Sequence, residues 1–260
     1  MPRAEGLKRG LLVCFLLTAA CVNAGQLKEA RVTQVVKDVK LLPSQAAPRP
    51  AELSDSVRDG DVVRTGAASF SELTCPDQTI VRLGAKTSVG FSDGTRTVNL
   101  DEGAMLFQIP KGAAAAKVKT AAIMATSTGA TGIIDRHARF YVKLLVLEGT
   151  VRCYLANQIG ESLLVQPGQI LITKPDVTAL PDPAHFDIAG VMKTCLLVRE
   201  FQPLPSQPLI ASEEQTQLSL MAKGRYVPSN LFIFGRGTLV SVVNPTPKQP
   251  PKAPEASTDH

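Results

Sequence analysis

Short apolar runs that break repeatedly at a glycine turn constrain this chain more than any other feature of its sequence. The runs are rich in Val, Leu, Ile and Thr, which favour β-strands. Glycine suits the breaks, because tight turns often need a positive φ that other residues adopt only at a cost. The breaks fall at Asp59-Gly60, Asp93-Gly94, Glu102-Gly103, Glu148-Gly149 and Pro167-Gly168. The pattern predicts a mainly-β body over residues 26–175.

Several of these units resemble one another. Val63-Arg64-Thr65-Gly66 has the same V-R-x-G pattern as Val81-Arg82-Leu83-Gly84. Short similar units are typical of a rolled or solenoid-like β-sheet domain, in which each unit covers the apolar face of its neighbour. The spacing of the units is irregular, so a β-sandwich or a jelly roll remains an alternative.

Residues 181–201 have a different pattern, which predicts one C-terminal helix. Asp182 is a suitable cap, and Pro183 suits the first helical position. The apolar residues that follow share one face of a helix: Ile188, Val191, Cys195 and Leu196. Such a helix either binds a partner or packs against its own β body, and the second interpretation is the simpler one.

Residues 202–260 form a C-terminal extension in this interpretation. Its end, residues 244–254, is rich in Pro and Lys and has few apolar side chains to bury. Because proline has no amide donor, we expect an extended, disordered tail there.

The N-terminus has the pattern of a signal peptide over residues 1–24. Lys8 and Arg9 precede a short apolar run, and Val22-Asn23-Ala24 fits a cleavage site. We therefore expect an exported protein, periplasmic or at the cell surface. Lipidation of Cys21 is the alternative; Thr18 stands where a lipoprotein signal usually has a bulky aliphatic residue, so ordinary cleavage is favoured. No later apolar run is long enough for a membrane helix, so we expect no membrane span in the mature chain.

Charge and composition argue against nucleic acid as a partner. The formal net charge is +5, but the Lys and Arg residues are dispersed and form no basic cluster. The chain has no Trp and only three Tyr, so it lacks the aromatic residues that stack on bases.

The cysteines and histidines do not form a metal-binding pattern. Cys75, Cys153 and Cys195 remain after the signal, and no two of them form a C-x-x-C pair. Three buried thiols are the favoured interpretation; one disulfide, such as Cys75–Cys153, remains open. The three histidines have no ligand spacing to these cysteines, so we expect no zinc and no other cofactor.

No residue of the sequence is predicted to be catalytic. The chain has neither a G-x-S-x-G elbow nor an H-E-x-x-H motif. Two pairs of carboxylates, Asp59/Asp61 and Asp101/Glu102, lie beside glycines and are interpreted as turn residues. His137 is interpreted as an exposed loop or strand-edge residue. We therefore expect a protein that is not an enzyme.

Five segments, in order, resemble the motifs of the FecR-like family. Val57–Gly66 is similar to "G-D-x-V/I-x-T-G", and Ser69–Leu83 to the "S-x-a-x-L…D-G-S…v-r-L" that follows it, although Gln78 stands where glycine is usual. The other three segments are similar to "L-x-x-G-x-v-x-f", "V-x-E-G-x-V" and "l-x-a/p-G-q": Leu100–Phe107, Val146–Val151 and Val165–Gln169. The resemblance covers about residues 30–175.

Members of this family are best known as periplasmic parts of transmembrane sigma-factor regulators. The resemblance implies a β fold, the envelope compartment and protein binding. We do not transfer the anti-sigma role, because this sequence begins with a signal and passes directly into the domain. The first hypothesis is a stand-alone, non-catalytic binding or signalling module that contacts another envelope protein. The alternative is a structural or surface-associated protein that binds cell-wall or exopolysaccharide material.

Overall fold

The computed structural model describes residues 29–92, 97–156 and 160–229. These residues form seventeen strands and three helices. The strands are β1 Glu29–Val36, β2 Val39–Leu42, β3 Arg49–Pro50, β4 Ser56–Arg58, β5 Val62–Thr65, β6 Phe70–Thr74, β7 Ile80–Leu83, β8 Ser88–Ser92, β9 Thr97–Ile109, β10 Ala116–Lys119, β11 Ile123–Ser127, β12 Ala130–His137, β13 Tyr141–Gly149, β14 Val151–Leu155, β15 Ser162–Val165, β16 Gln169–Thr173 and β17 Ala184–His185. The helices are α1 Ile188–Thr194, α2 Leu196–Arg199 and α3 Gln207–Ala222.

Two sheets share the long strand β9. The inner sheet has the order β4-β1-β6-β7-β9-β12-β13-β16-β17 and is antiparallel throughout. The outer sheet has the order β3-β2-β5-β8-β9-β10-β11-β14-β15, with β9 and β10 parallel. β9 passes from the outer to the inner sheet at Gly103, whose φ is +90°. The strands are therefore one hydrogen-bonded network that folds over on itself.

The main core lies between the two sheets. It contains buried aliphatic residues from both, such as Leu73 and Val81 of the inner sheet and Val63 and Val89 of the outer sheet. Each is at most 1% exposed. Alternate residues of each strand point into this core, which is why period-2 alternation marked these strands in the sequence.

A second core lies on the other face of the inner sheet. Its sheet side includes Leu106, Ile133 and Leu145, and its other side includes Phe186 and Val191 from the C-terminal segment. The inner sheet is thus covered on both faces, and its strand β13 is buried at seven consecutive positions. We call the segment from β17 to residue 229 the C-terminal layer.

The mainly-β prediction is confirmed, and four of the five predicted glycine breaks have a positive φ, although Gly103 lies within β9 and not in a turn. Positive φ angles of 84°, 90°, 74° and 75° occur at Gly60, Gly103, Gly149 and Gly168. Gly94 lies outside the described residues. Gln78, which stands where the resembling family has glycine, also adopts a positive φ, 66°, so the turn is kept without the residue that best suits it.

The helical part differs from the single helix expected over residues 181–201. Ala184–His185 pairs with β16 as β17, so Asp182 and Pro183 do not start a helix. The backbone is extended at Cys195, with φ −72° and ψ 121°, and this separates α1 from α2. The longer α3 was not predicted, although Ser206 precedes it and a proline lies in its first turn.

Two other expectations concern parts of the chain beyond this description. The predicted signal at 1–24 and the Pro/Lys-rich end at 244–254 both lie outside the described residues. Among the helices of the described ranges, none is long and apolar enough to cross a bilayer.

Candidate functional site

The hairpin between β12 and β13 exposes an aromatic ring at its tip. The turn is closed by the Phe140 N–H, which donates to the His137 carbonyl oxygen at 3.1 Å. Phe140 is 57% exposed. The centre of the His137 ring lies 4.6 Å from that of Phe140 and 5.9 Å from that of Tyr141. Phe140 is therefore held against a second ring while much of its surface faces solvent.

A buried ion pair joins the two strands of this hairpin just below its tip. Lys143 is only 3% exposed, and its Nζ lies 3.8 Å from Asp135 Oδ2 and 4.1 Å from the centre of the Tyr141 ring. The Tyr141 hydroxyl donates to the same carboxylate oxygen at 3.2 Å. Burial raises the pKa of Asp135 and lowers the pKa of Lys143, because each charged form loses water. Displacing one group would leave the other charge buried without its partner, so the pair helps to hold β12 and β13 together just below the tip.

A groove of about 380 Å³ lies beside the hairpin tip. Its lining carries two cations and two anions among seven polar residues: Arg64, Thr65, Lys86, Thr87, Ser88, Asp101 and Glu102. The Ala138 N–H of the hairpin turn donates to Glu102 Oε2 at 3.2 Å, so groove and hairpin form one continuous surface. We call this surface, from Arg64 to Phe140, the tip surface.

The hydroxyl groups of the two threonines in the groove form hydrogen bonds with the backbone of the chain itself. The Thr65 hydroxyl donates to the Gly84 carbonyl oxygen at 2.5 Å and accepts the Thr87 N–H at 2.9 Å. The Thr87 hydroxyl donates to the Ala104 carbonyl oxygen at 3.1 Å. A bound molecule would therefore meet mainly the charged rim of the groove.

Other buried charges of the described chain hold the C-terminal layer in place. Arg82 is 1% exposed, and its Nε donates to Glu72 Oε2 at 2.8 Å. Its other nitrogens donate to the Leu197 and Gln202 carbonyl oxygens at 3.2 and 2.6 Å, and its guanidinium lies 4.7 Å from the centre of the Phe201 ring. One side chain of β7 thus holds three residues of the C-terminal layer.

Glu148 belongs to a second such anchor. The Thr131 hydroxyl donates to Glu148 Oε1 at 2.8 Å and lies 2.7 Å from the hydroxyl of Ser206, the residue before α3. Glu148 is 3% exposed, and this burial raises the pKa of its carboxyl. A buried carboxyl with a raised pKa can indicate a catalytic acid. Here it serves as an acceptor within the packing of α3.

Gln217 and Tyr226 form the third anchor. The Ile188 N–H donates to Gln217 Oε1 at 3.0 Å, and Gln217 Nε2 donates to the Phe186 carbonyl oxygen at 2.8 Å. The Tyr226 hydroxyl lies 2.6 Å from the Gly168 carbonyl oxygen. A Cβ on Gly168 would come within 2.6 Å of that hydroxyl, so only glycine leaves room for this contact.

The carboxylate pairs considered in the sequence serve different purposes. Asp61 accepts the N–H groups of Ser44 and Arg58, both at 2.9 Å, and so has the turn role that was predicted. Asp101 and Glu102 lie at the groove instead. His137 ends β12 and is half-buried against Phe140.

The three cysteines of the described chain are buried and form no disulfide. Burial raises the pKa of Cys153 to about 12 and that of Cys195 to about 11, so both thiols are protonated at neutral pH while they stay buried. The described ranges contain no group of three or more His, Cys, Asp or Glu side chains that could hold a metal ion.

Sequence reasoning did not find the tip surface. A signal was present: residues 136–141, Arg-His-Ala-Arg-Phe-Tyr, concentrate cations and rings in a chain with only 5% aromatic residues. The sequence alone did not reveal that β5, β9 and the turn before β8 bring Arg64, Glu102 and Lys86 beside that segment.

Comparison with known proteins found one family. Residues 61–152 match the model of the FecR protein family, a range that includes both the groove and the hairpin. No curated protein sequence is significantly similar to the chain. Two crystal structures of a Parabacteroides distasonis protein, described as a candidate anti-sigma factor, are similar at 13% identity and a TM-score of 0.41. The matches cover 54% and 53% of this chain, and 76% and 73% of the respective matched chains.

Proposed function

The chain contains a FecR domain over residues 61–152, and from this premise we propose that it is a non-catalytic binding or signalling module of the bacterial cell envelope. It acts by contacting another envelope protein. The family match is the observation that carries the proposal. Among the described residues, the buried charged groups have structural partners: Arg82 and Glu148 fasten the C-terminal layer, and Asp135 pairs with Lys143.

An open strand edge supports protein binding. Among the described residues, β15 pairs on one side only, with β14. Leu164, in the middle of this short strand, is 44% exposed. Such an edge offers N–H and C=O groups that a strand of a partner can pair with.

The proposal places the mature chain in the periplasm or at the cell surface. It rests here on the signal pattern of residues 1–24. Alkaline phosphatase fused after residue 260 is active only when exported. We expect an active fusion, and an inactive one when residues 1–24 are deleted. The Cys21→Ser variant tests the lipid anchor: unchanged processing and no incorporation of labelled palmitate on the parent chain indicate ordinary cleavage.

Crosslinking in the native host tests the binding role. The envelope fraction is crosslinked, the adducts are identified by mass spectrometry, and the mature N-terminus is read in the same sample. One dominant protein crosslinked to the FecR domain supports the proposal. Sedimentation with wall material, without a protein adduct, would refute it and favour the surface-associated alternative.

A further inference from the structure

We propose that the tip surface binds an extended acidic segment of a partner protein, with Phe140 as its apolar anchor. This inference deepens the proposed function and rests on it. It concerns a different surface from the edge of β15.

The shape of the surface fits an extended chain. Register places Arg64 opposite Ser88, and Ser88 opposite Glu102; Glu102 in turn accepts the Ala138 N–H. These residues form a row that crosses three strands and ends at the hairpin turn. At about 4.8 Å between neighbouring strands, the three strands span about 10 Å, which matches about three residues of an extended chain, and the hairpin turn lengthens the row beyond them.

The charges of the surface fit acidic residues in that segment. Arg64, Lys86 and Arg139 are exposed, and none forms an ion pair within the described ranges. Arg64 and Lys86 lie at the groove, whereas Arg139 lies at the hairpin turn. Carboxylates spaced along a bound segment can therefore meet a cation at each end of the row.

Phe140 has the properties of an interface anchor. Aromatic residues and arginine carry much of the binding energy in protein interfaces. Phe140 pays little conformational entropy on binding, because its ring already lies against His137, and the ion pair of Asp135 and Lys143 fixes the strands beneath it.

The middle of the row favours a polypeptide over a membrane or an anionic polysaccharide. Glu102 lies between Arg64 and the hairpin turn, and Asp101 lines the same groove; both would repel a uniformly negative surface. A polypeptide can place N–H donors or a cation opposite these two carboxylates. A bilayer of anionic lipid cannot do so.

The probe is a phage-displayed library of random dodecapeptides, selected on the purified full mature chain. We expect the selected peptides to be enriched in Asp and Glu around an aromatic or aliphatic residue. Binding of a selected peptide should weaken at least tenfold in Phe140→Ala and in Arg139→Glu, and it should weaken as salt is raised. Selected peptides without acidic residues, or variants that bind as well as the parent, would overturn the proposal.

Matched controls separate the tip surface from general effects. Leu164→Ala removes an apolar side chain of similar exposure from the outer-sheet edge, and Lys119→Glu reverses an exposed charge on β10. Both should bind the peptide as the parent does. The unfolding midpoint of each variant shows that it is folded; because Phe140 is largely exposed, Phe140→Ala should keep the parent's midpoint.

Vesicles of phosphatidylglycerol test the membrane outcome. The proposal would be overturned in favour of a lipid surface if the parent chain bound these vesicles, Phe140→Ala did not, and the library gave no binding peptide.

Crosslinking in the host separates the two proposals. If the partner still crosslinks to Phe140→Ala and Arg139→Glu, the tip surface is not the binding site, and the binding role stands. If no partner crosslinks to the parent chain, the binding role itself fails.

Discussion

Arg64 and Arg82 have the same local sequence and opposite surroundings. Each arginine follows a valine that points into the main core, and each lies two residues before the glycine that ends its V-R-x-G segment. Arg64, on β5 of the outer sheet, is exposed at the groove, whereas Arg82, on β7 of the inner sheet, is 1% exposed beneath the C-terminal layer. The repeated pattern therefore determines which side chain points away from the core, and the C-terminal layer determines whether that side chain meets water.

The largest expected effect is on the free energy of unfolding when each of the two arginines is replaced. Arg82→Ala should lower the free energy of unfolding by about 3 kcal/mol, because Glu72 and two carbonyl oxygens lose a buried partner. Arg64→Ala should change it by less than about 0.5 kcal/mol. Urea denaturation measures both, and similar losses in the two variants would contradict the comparison.

Thiol labelling without denaturant tests whether the C-terminal layer opens by itself. Cys195 belongs to that layer and is buried in the second core, whereas Cys153 is buried between the two sheets. In variants that keep only one cysteine, we expect Cys195 to react at least about tenfold faster than Cys153. The reason is that local opening of the C-terminal layer needs less free energy than separation of the two sheets. Arg82→Ala should accelerate Cys195 alone. Equal rates would mean that the C-terminal layer and the two sheets open together.

A substitution in a turn outside the second core should give a smaller change in the free energy of unfolding, and this change should be a gain. Gln78 is exposed and has a φ of 66°. Gln78→Gly should raise the free energy of unfolding by about 0.5 kcal/mol, since relief of the backbone exceeds the entropy that glycine adds to the unfolded chain. Gln78→Ala serves as the control and should give no gain. Thermal unfolding measures both, and a loss in Gln78→Gly would show that the side chain makes a stabilising contact.

The smallest effect is in the pH dependence of stability, where two carboxyls should act in opposite directions. Burial raises the pKa of Glu148, so its contribution is present below the ordinary value of 4.5 and is lost as the pH rises through the folded-state pKa. Hydrogen bonding to Arg49 lowers the pKa of Asp55, so its contribution is present above 3.8 and is lost as the pH falls through the folded-state pKa.

Urea denaturation from pH 2 to pH 8 separates these two contributions. Glu148→Gln should flatten the loss of stability on the alkaline side of pH 4.5, and Asp55→Asn should flatten the loss on the acid side of pH 3.8. If Glu148→Gln alters the acid side instead, the carboxyl is not desolvated by α3 and the second anchor is wrong.

The β body could be predicted because its signals are local. Alternating side chains mark strands that have one face in a core, and glycines such as Gly60 and Gly168 occur where φ is positive. Gly103 shows the limit of this reasoning: the sequence predicts a turn, but the chain continues through it as one strand, because the second half of β9 finds new partners in the inner sheet.

The C-terminal layer was harder to predict because distant contacts decide it. Ala184 and His185 pair with β16, and this moves the start of the helix to Ile188. The tip surface was missed for a similar reason. Arg64 and Arg139 are far apart in sequence. The register of β5, β8 and β9, together with the contact of Glu102 with the hairpin turn, brings them to one row.

The shared strand β9 restricts how the polypeptide can be divided. A cut within Thr97–Ile109 would leave two fragments that each lack part of both sheets, so co-expressed halves would have to reassemble along two strand interfaces at once. A cut between β16 and β17 would instead leave both sheets in one fragment, except for the two-residue edge strand β17, and would separate from them the segment that covers one sheet. Fragment complementation should therefore succeed at the second position and fail at the first, which makes the C-terminal layer the natural unit to supply in trans.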